Sequence, residues 1–459
     1  MRRCQSLRLC WARLDRDAHG PLPRQPIDRL LGPLDRFLHV EAAGGIVLLA
    51  CTALALALAN SPWSESWLHL WHVPLGVAVG GFELRLSLHH WINDGLMAIF
   101  FFVMGLEVKR ELAIGELRDP RRAALPLAGA LGGMLVPAGI YLALHGGGPA
   151  AAGWGIPMAT DIAFVVGCMA LLGPRVPSSL RIMLLSLAIA DDIGAILVIA
   201  IGYTETLHLG ALALGVAGLA AVYALARVGV RSFGVYTLAG AGIWLAFHES
   251  GVHATIAGVA LGLMTPARAR ASGGAVAEVF ERASALLRGE RWQHASGRAA
   301  QVRALREVAR EVVSPLEYLE ARLHPWIGFA IMPLFALANA GVPIALDGFT
   351  DPVALGVEAG LVIGKPVGIL VFSWLAVRIG VATLPPGIGW GVVAAAGALA
   401  GIGFTVALFI AGLALDGPRL DAAKLGTLAG SAISGALGMG ALAWLLPREK
   451  ALPQRAPSA

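Results

Sequence analysis

Residues 187–200 read LAIADDIGAILVIA. Two adjacent aspartates, Asp191 and Asp192, interrupt an apolar run over residues 182–201 that is long enough to cross a bilayer core. An ionised carboxylate near the centre of a membrane helix costs roughly 2.5–3.5 kcal/mol on insertion scales. A chain that carries this cost twice in succession must place the charges where protein or a water cavity receives them. The pair therefore reads as an ionic site inside a helical membrane protein.

Composition supports that reading. Hydrophobic residues make up 57% of the chain and charged residues 14%, with a mean hydropathy of +0.71. Soluble domains carry about 25% charged residues. The 58 glycines suit close helix–helix approach in lipid. A net charge of +5 would fit a nucleic-acid binder, but Arg and Lys lie in short segments between apolar runs, as topology signals do, so no nucleic-acid partner is expected. Cys4, Cys10, Cys51 and Cys168 form no CxxC pair and read as free thiols. The basic N-terminal stretch lacks the apolar region of a secretory signal.

Apolar runs read against a spanning length predict twelve transmembrane helices, centred near Leu49, Phe101, Met134, Ile162, Ile193, Leu219, Gly240, Val259, Leu334, Ile363, Phe404 and Leu437, of which the seventh and eighth are short and separated only by the turn at His248–Gly251. This divides the chain into a basic tail (1–40), helices one to eight (41–266), a charged loop (267–322), helices nine to twelve (323–447) and a short tail (448–459). Between the first two spans, residues 76–88 alternate apolar and polar around Gly80-Gly81, the pattern of a β-hairpin. With loops assigned to alternate sides, every Arg and Lys except Arg85, Lys365, Arg419 and Lys424 falls on one side. The positive-inside rule makes that side, with both termini, cytoplasmic and puts the hairpin in the periplasm.

Ionisable residues deep in spans are few: Asp94, Asp161, Asp191, Asp192, Glu358 and Lys365. Intramembrane carboxylates of this kind mark ion or proton paths. Asp161 sits in WGIPMATDIAFVVG, where Gly155, Pro157 and Thr160 interrupt the fourth span. Gly401, Gly403 and Thr405 interrupt the eleventh in AGALAGIGFTVALF. Paired interruptions in the two halves point to a transporter site built from broken helices. Lys365, in LVIGKPVGIL, needs an anionic partner, and Asp161, Asp191 and Asp192 are all candidates. Carboxylates, a threonine hydroxyl and freed backbone carbonyls suit a hard monovalent cation, and carboxylates that hold Na+ also hold H+. No His/Cys cluster suggests zinc, and no cofactor is expected. Neighbouring helical residues point about 100° apart, so one aspartate can face the ion while the other faces the lysine.

These strings resemble the NhaA-type Na+/H+ antiporter family. LHHWINDGLMAIFFFVMGLEVKREL, PMATDIAFVVG, LAIADDIGAI, SGVHATIAGV, LHPW, PLFALANAGV, IGKPVGI and GIGFTVALFIAGLA occur in family order from about Glu41 to Leu446. The resemblance implies an all-α integral membrane protein of inverted-topology repeats, with the broken fourth and eleventh helices crossing. It implies a multi-pass protein of the bacterial inner membrane, in contact with the lipid bilayer and dimerising through the hairpin. The implied activity is electrogenic export of Na+ or Li+ against about two protons. The family's cation-binding aspartate falls on Asp192, and Asp191 matches the carboxylate paired with Lys365, so the two are the expected ligands for Na+ or Li+. Asp161, beside Thr160, matches the aspartate that offsets the positive helix ends at the crossing. Glu107, Arg110, Glu111 and Glu320 match the pH-response cluster. This chain departs from the pattern in three places. Ala321 follows Glu320 where the family has histidine, Glu358 adds a carboxylate, and the loop and N-terminal tail are long.

Two other functions use similar residues. An organic-solute transporter coupled to Na+ or H+ would want aromatic residues at the breaks, and few are present. An intramembrane aspartyl protease needs carboxyls in different spans with flanks such as GxGD, whereas Asp191 and Asp192 are adjacent.

Overall fold

Asp-Pro and Ser-Pro dipeptides start three of the long helices. Asp119, Ser314 and Asp351 each turn a side-chain oxygen onto a backbone N–H of the first turn, and proline follows at the first helical position. An N-cap acceptor and a proline that needs no donor together satisfy an otherwise unpaired helix end. Ser314 and Glu317 complete a reciprocal capping box.

The computed structural model describes residues 41–79, 82–204, 207–230, 233–268, 313–344 and 346–446. Both tails, most of the charged loop and the hairpin's Gly80-Gly81 lie outside the described residues. Helix α1 (Glu41–Ala59) is followed, across a bend of 115°, by the short α2 (Ser64–His72). Strands β1 (Pro74–Val79) and β2 (Phe82–Ser87) pair antiparallel from Pro74↔Ser87 to Val79↔Phe82. The chain continues through α3 (Leu88–Ala113), α4 (Pro120–His145), α5 (Pro149–Arg175), α6 (Ser178–Gly202) and α7 (Leu209–Val228). Then come α8 (Phe233–Ser250) and α9 (Thr255–Met264). After the charged loop follow α10 (Pro315–Asn339), α11 (Pro352–Arg378), α12 (Trp390–Ala400), α13 (Phe404–Ala414) and α14 (Gly417–Leu445).

This is an all-α membrane protein. Among the described residues, eight helices are long and apolar enough to cross a membrane. The number rises to ten if the bent pairs α1–α2 and α12–α13 each count as one span. The twelve expected crossings are not reached on that measure. The seventh and eighth, α8 and α9, make the difference. α8 ends in the polar His248-Glu249-Ser250, and α9 has ten residues, about 15 Å of helix against a core of about 30 Å.

Two helix types depart from the α-helix. The first ten residues of α5, Pro149–Met158, are 3-10 helical and residues 159–161 are extended before Ile162–Leu172 resumes as α-helix. π-helical turns lie within α3 (Trp91–Leu96), α10 (Ile327–Ile331) and α11 (Gly360–Gly364).

The tightest packing is backbone on backbone. A Cβ added to Gly132 on α4 would fall against the Gly368 carbonyl oxygen on α11, and one added to Gly368 would fall against the Gly132 carbonyl oxygen. The nearest atoms are backbone, flanked by the Cβ atoms of Phe372 and Val136, so no flexible side-chain end is there to give way. Gly132→Ala is therefore expected to cost at least about 1–3 kcal/mol through overpacking. Melting in detergent checks this, and a wild-type transition temperature would show that the seam can open.

Candidate functional site

Four elements converge on one buried ionic site. α6 contributes Asp191 and Asp192 in mid-helix, α11 contributes Lys365, and the breaks in α5 and between α12 and α13 contribute backbone. Lys365 Nζ lies 2.6 Å from Asp191 Oδ2, and the two residues are 0% and 1% exposed. The ammonium also donates to the carbonyl oxygen of Met158, the last residue of the 3-10 segment of α5. Of the three aspartates open to Lys365 in the sequence, the structure pairs it with Asp191. Asp191 Oδ1 and Asp192 Oδ2 are buried and have no hydrogen-bond partner among the described residues. Two carboxylate oxygens without donors, on adjacent residues beside one ammonium, form a site that a proton or a hard cation would complete.

The two breaks hold each other. The Asp161 backbone N–H donates to the Ile402 carbonyl oxygen at 2.7 Å, and the Thr160 hydroxyl donates to the Ala400 carbonyl oxygen at 2.9 Å. Asp161 caps its own helix, with Oδ1 accepting from the Phe164 N–H at 3.2 Å. Its Oδ2 accepts from the N–H and hydroxyl of Thr405 at 3.2 and 2.5 Å, at the first turn of α13. A single buried carboxylate thus faces the N-termini of two helices, each carrying about half a positive charge. At the same turn the Phe404 N–H donates to Ser431 Oγ on α14.

At one end of the molecule, the last turns of α3 meet the first turns of α10. Arg110 pairs with Glu320 and lies 3.7 Å from Glu111, while His324 Nδ1 lies 3.9 Å from Glu107 Oε1. The Glu111 carboxylate also accepts the Glu116 N–H at 3.1 Å, which fixes the following loop. A cavity of about 280 Å³ opens beside it, lined by Glu111, Glu116, Arg122, Ile182, Leu185 and Ser186. The last three belong to α6, so the cavity meets that helix little more than one turn before Asp191.

Of the residues singled out in the sequence, Asp161, Thr160, Asp191, Asp192 and Lys365 lie at the buried site and its breaks, Glu107, Arg110, Glu111 and Glu320 lie in the cluster at the end, and Cys4 and Cys10 lie outside the described residues. Asp94 and Glu358 join neither. Asp94 faces His248 at 3.9 Å on α8, and Glu358 is half-buried on α11 with no ion pair among the described residues. The sequence reading missed Met158, because a carbonyl ligand leaves no mark in residue type. It also gave Thr405 no role beyond interrupting the helix. His324 lay unassigned in the LHPW string, although it stands one helical turn after Glu320 and so shares its face. Cys51 and Cys168 are free and half-buried.

Known proteins resemble the chain over most of its length. The sequence model of the family described as Na+/H+ antiporter 1 matches residues 35–442. The Na+/H+ antiporter NhaA of Rhodopirellula baltica is 56% identical over 428 residues, covering 93% of this chain and 97% of its own. The Na+/H+ antiporter NhaA of Rhizobium meliloti is 53% identical over 429 residues, covering 94% and 98%.

Proposed function

Because this chain belongs to the Na+/H+ antiporter 1 family, whose members are transporters and not enzymes, we propose that it exports Na+ or Li+ across the bacterial inner membrane in exchange for about two protons. The observation that carries the proposal is the pair of oxygens, Asp191 Oδ1 and Asp192 Oδ2, that have no hydrogen-bond partner among the described residues and stand beside the Lys365 ammonium. Na+ and protons compete for the same oxygens, so a site that faces one side at a time couples their opposite movements. Asp192 is the exchangeable ligand. Asp191 shares the cation while neutralising Lys365, and Asp161 cancels the positive helix ends that would otherwise repel it.

Two protons entering for each Na+ leaving carry one net charge inward. A potential of 100 mV then contributes about 2.3 kcal/mol per turnover to extrusion. With both termini cytoplasmic, the cavity beside Glu111 and Ser186 is the cation's way in and the hairpin faces the periplasm. The chain works as a homodimer in contact through β1 and β2, and needs no cofactor.

Everted vesicles with an acid interior report the activity directly. Addition of Na+ or Li+ should dissipate the pH gradient, and no response across the neutral and alkaline range would overturn the proposal. Movement of protons with Na+ as the sole added solute also argues against an organic substrate.

The cluster of Glu107, Arg110, Glu111 and Glu320, joined by His324, sets the pH response. Replacing all three glutamates by glutamine removes negative potential around the cavity mouth. The pH–activity profile should then move toward acid by on the order of half a unit to one unit. An unshifted profile in the vesicle assay would remove the cluster from regulation.

A further inference from the structure

The first half of α5 is 3-10 helical for ten residues, Pro149–Met158. Runs beyond three or four residues are uncommon because the hydrogen bonds of this helix are poorly aligned. Something outside the segment must hold it, and two tyrosines do. The Tyr141 hydroxyl on α4 donates to the Ala150 carbonyl oxygen at 2.9 Å. The Tyr203 hydroxyl, one residue past the end of α6, donates to the Ala152 carbonyl oxygen at 2.9 Å and accepts the Gly155 N–H at 3.2 Å. Gly153 and Gly155 leave room for the two rings: a Cβ at Gly155 would come within 2.6 Å of the Tyr203 hydroxyl.

The segment ends on the atom that touches the ammonium. Met158, its last residue, gives its carbonyl to Lys365 Nζ. Two residues later the Thr160 hydroxyl bonds to Ala400. Helix form sets length: ten residues rise about 20 Å as 3-10 helix but about 15 Å as α-helix. A relaxation of this half toward α-helix, with its outer end kept in place, would withdraw the Met158 carbonyl from Lys365 by up to about 5 Å.

We propose that Tyr141 and Tyr203 are positioning residues for ion exchange, which clamp the 3-10 half of α5 so that the Met158 carbonyl shares the Lys365 ammonium with Asp191. With the carbonyl in place, Asp191 does not carry the ammonium alone and keeps Oδ1 for the cation. With the carbonyl withdrawn, the ammonium draws Asp191 fully onto itself and the cation loses a ligand. The inference rests on the antiport reading, and wild-type Na+/H+ exchange in the same vesicles tests that reading separately.

Tyr203→Phe deletes two hydrogen bonds and Tyr141→Phe deletes one, while both keep the ring. In purified, reconstituted protein, the apparent KM for Na+ should rise about tenfold in Tyr203→Phe and about threefold in Tyr141→Phe, in proportion to the bonds lost. Maximal rate should change little, and the pH profile should shift in the same order. Wild-type KM and pH profile in both variants would overturn the proposal. So would a lowered melting temperature with KM and pH profile unchanged, since that is the mark of tyrosines that only stabilise the fold. If Tyr203→Phe does not fold, Tyr141→Phe decides alone by the same two readouts.

Discussion

Asp192→Asn should reduce Na+-dependent proton movement to the background of vesicles without the protein, while the variant still inserts and melts as a folded protein. The substitution keeps the shape of a side chain that is 3% exposed and has a buried oxygen with no donor among the described residues. It removes one negative charge and one proton-binding group from the same place. A charge acting over 4 Å at an effective dielectric constant of 20 is worth about 4 kcal/mol, close to a thousandfold in cation affinity. The amide cannot exchange a proton either, so both halves of the cycle fail. Residual exchange above background in a correctly inserted variant would assign the cation to other ligands.

Lys365→Ala should weaken transport and stability together. Its ammonium is fully buried against Asp191 at 2.6 Å and also serves the Met158 carbonyl. Removing one partner of such a pair leaves an uncompensated buried charge, at a cost of about 3–5 kcal/mol. A markedly lower melting temperature is the expected result. Removing the partner charge as well, in Lys365→Ala with Asp191→Asn, should recover much of that loss without restoring exchange. Recovery in the double variant separates a charge pair from a lysine that only fills space. Unchanged melting in the single variant would break the assignment.

The parts of this site that show in the sequence are those that conflict with their surroundings. Carboxylates and a lysine in apolar runs are costly, and glycine, proline and threonine interrupt helices. Asp161, Asp191, Asp192, Lys365 and both breaks are therefore visible as residue types. The residues themselves offer Lys365 three aspartates, because helix rotation and depth, not spacing, decide which one it meets. Asp161 was available for Lys365 in sequence, but its oxygens go to the first turns of two helices. The Met158 carbonyl and the 3-10 form of Pro149–Met158 leave no mark, since every residue has a carbonyl and the segment is bonded by tyrosines from other elements. The span count diverges at α8 and α9, where one helix ends in polar residues and the other has only ten, and both pack on neighbours, α8 on α7 and α9 on α3.

The π-helical turn Gly360–Gly364 ends at the residue before Lys365. Such a turn amounts to one residue inserted into an α-helix. Upstream of it, the backbone of Ala354 and Glu358 lies against Gly426 and Gly430 of α14, and downstream the lysine meets Asp191. The extra residue therefore acts as a phase shift between the two faces of one helix. Deleting a single residue from it would leave every side chain chemically intact and turn Lys365 by about 100° relative to α14. The alignment of the charges on α11 with its packing on α14 thus hangs on the length of that turn.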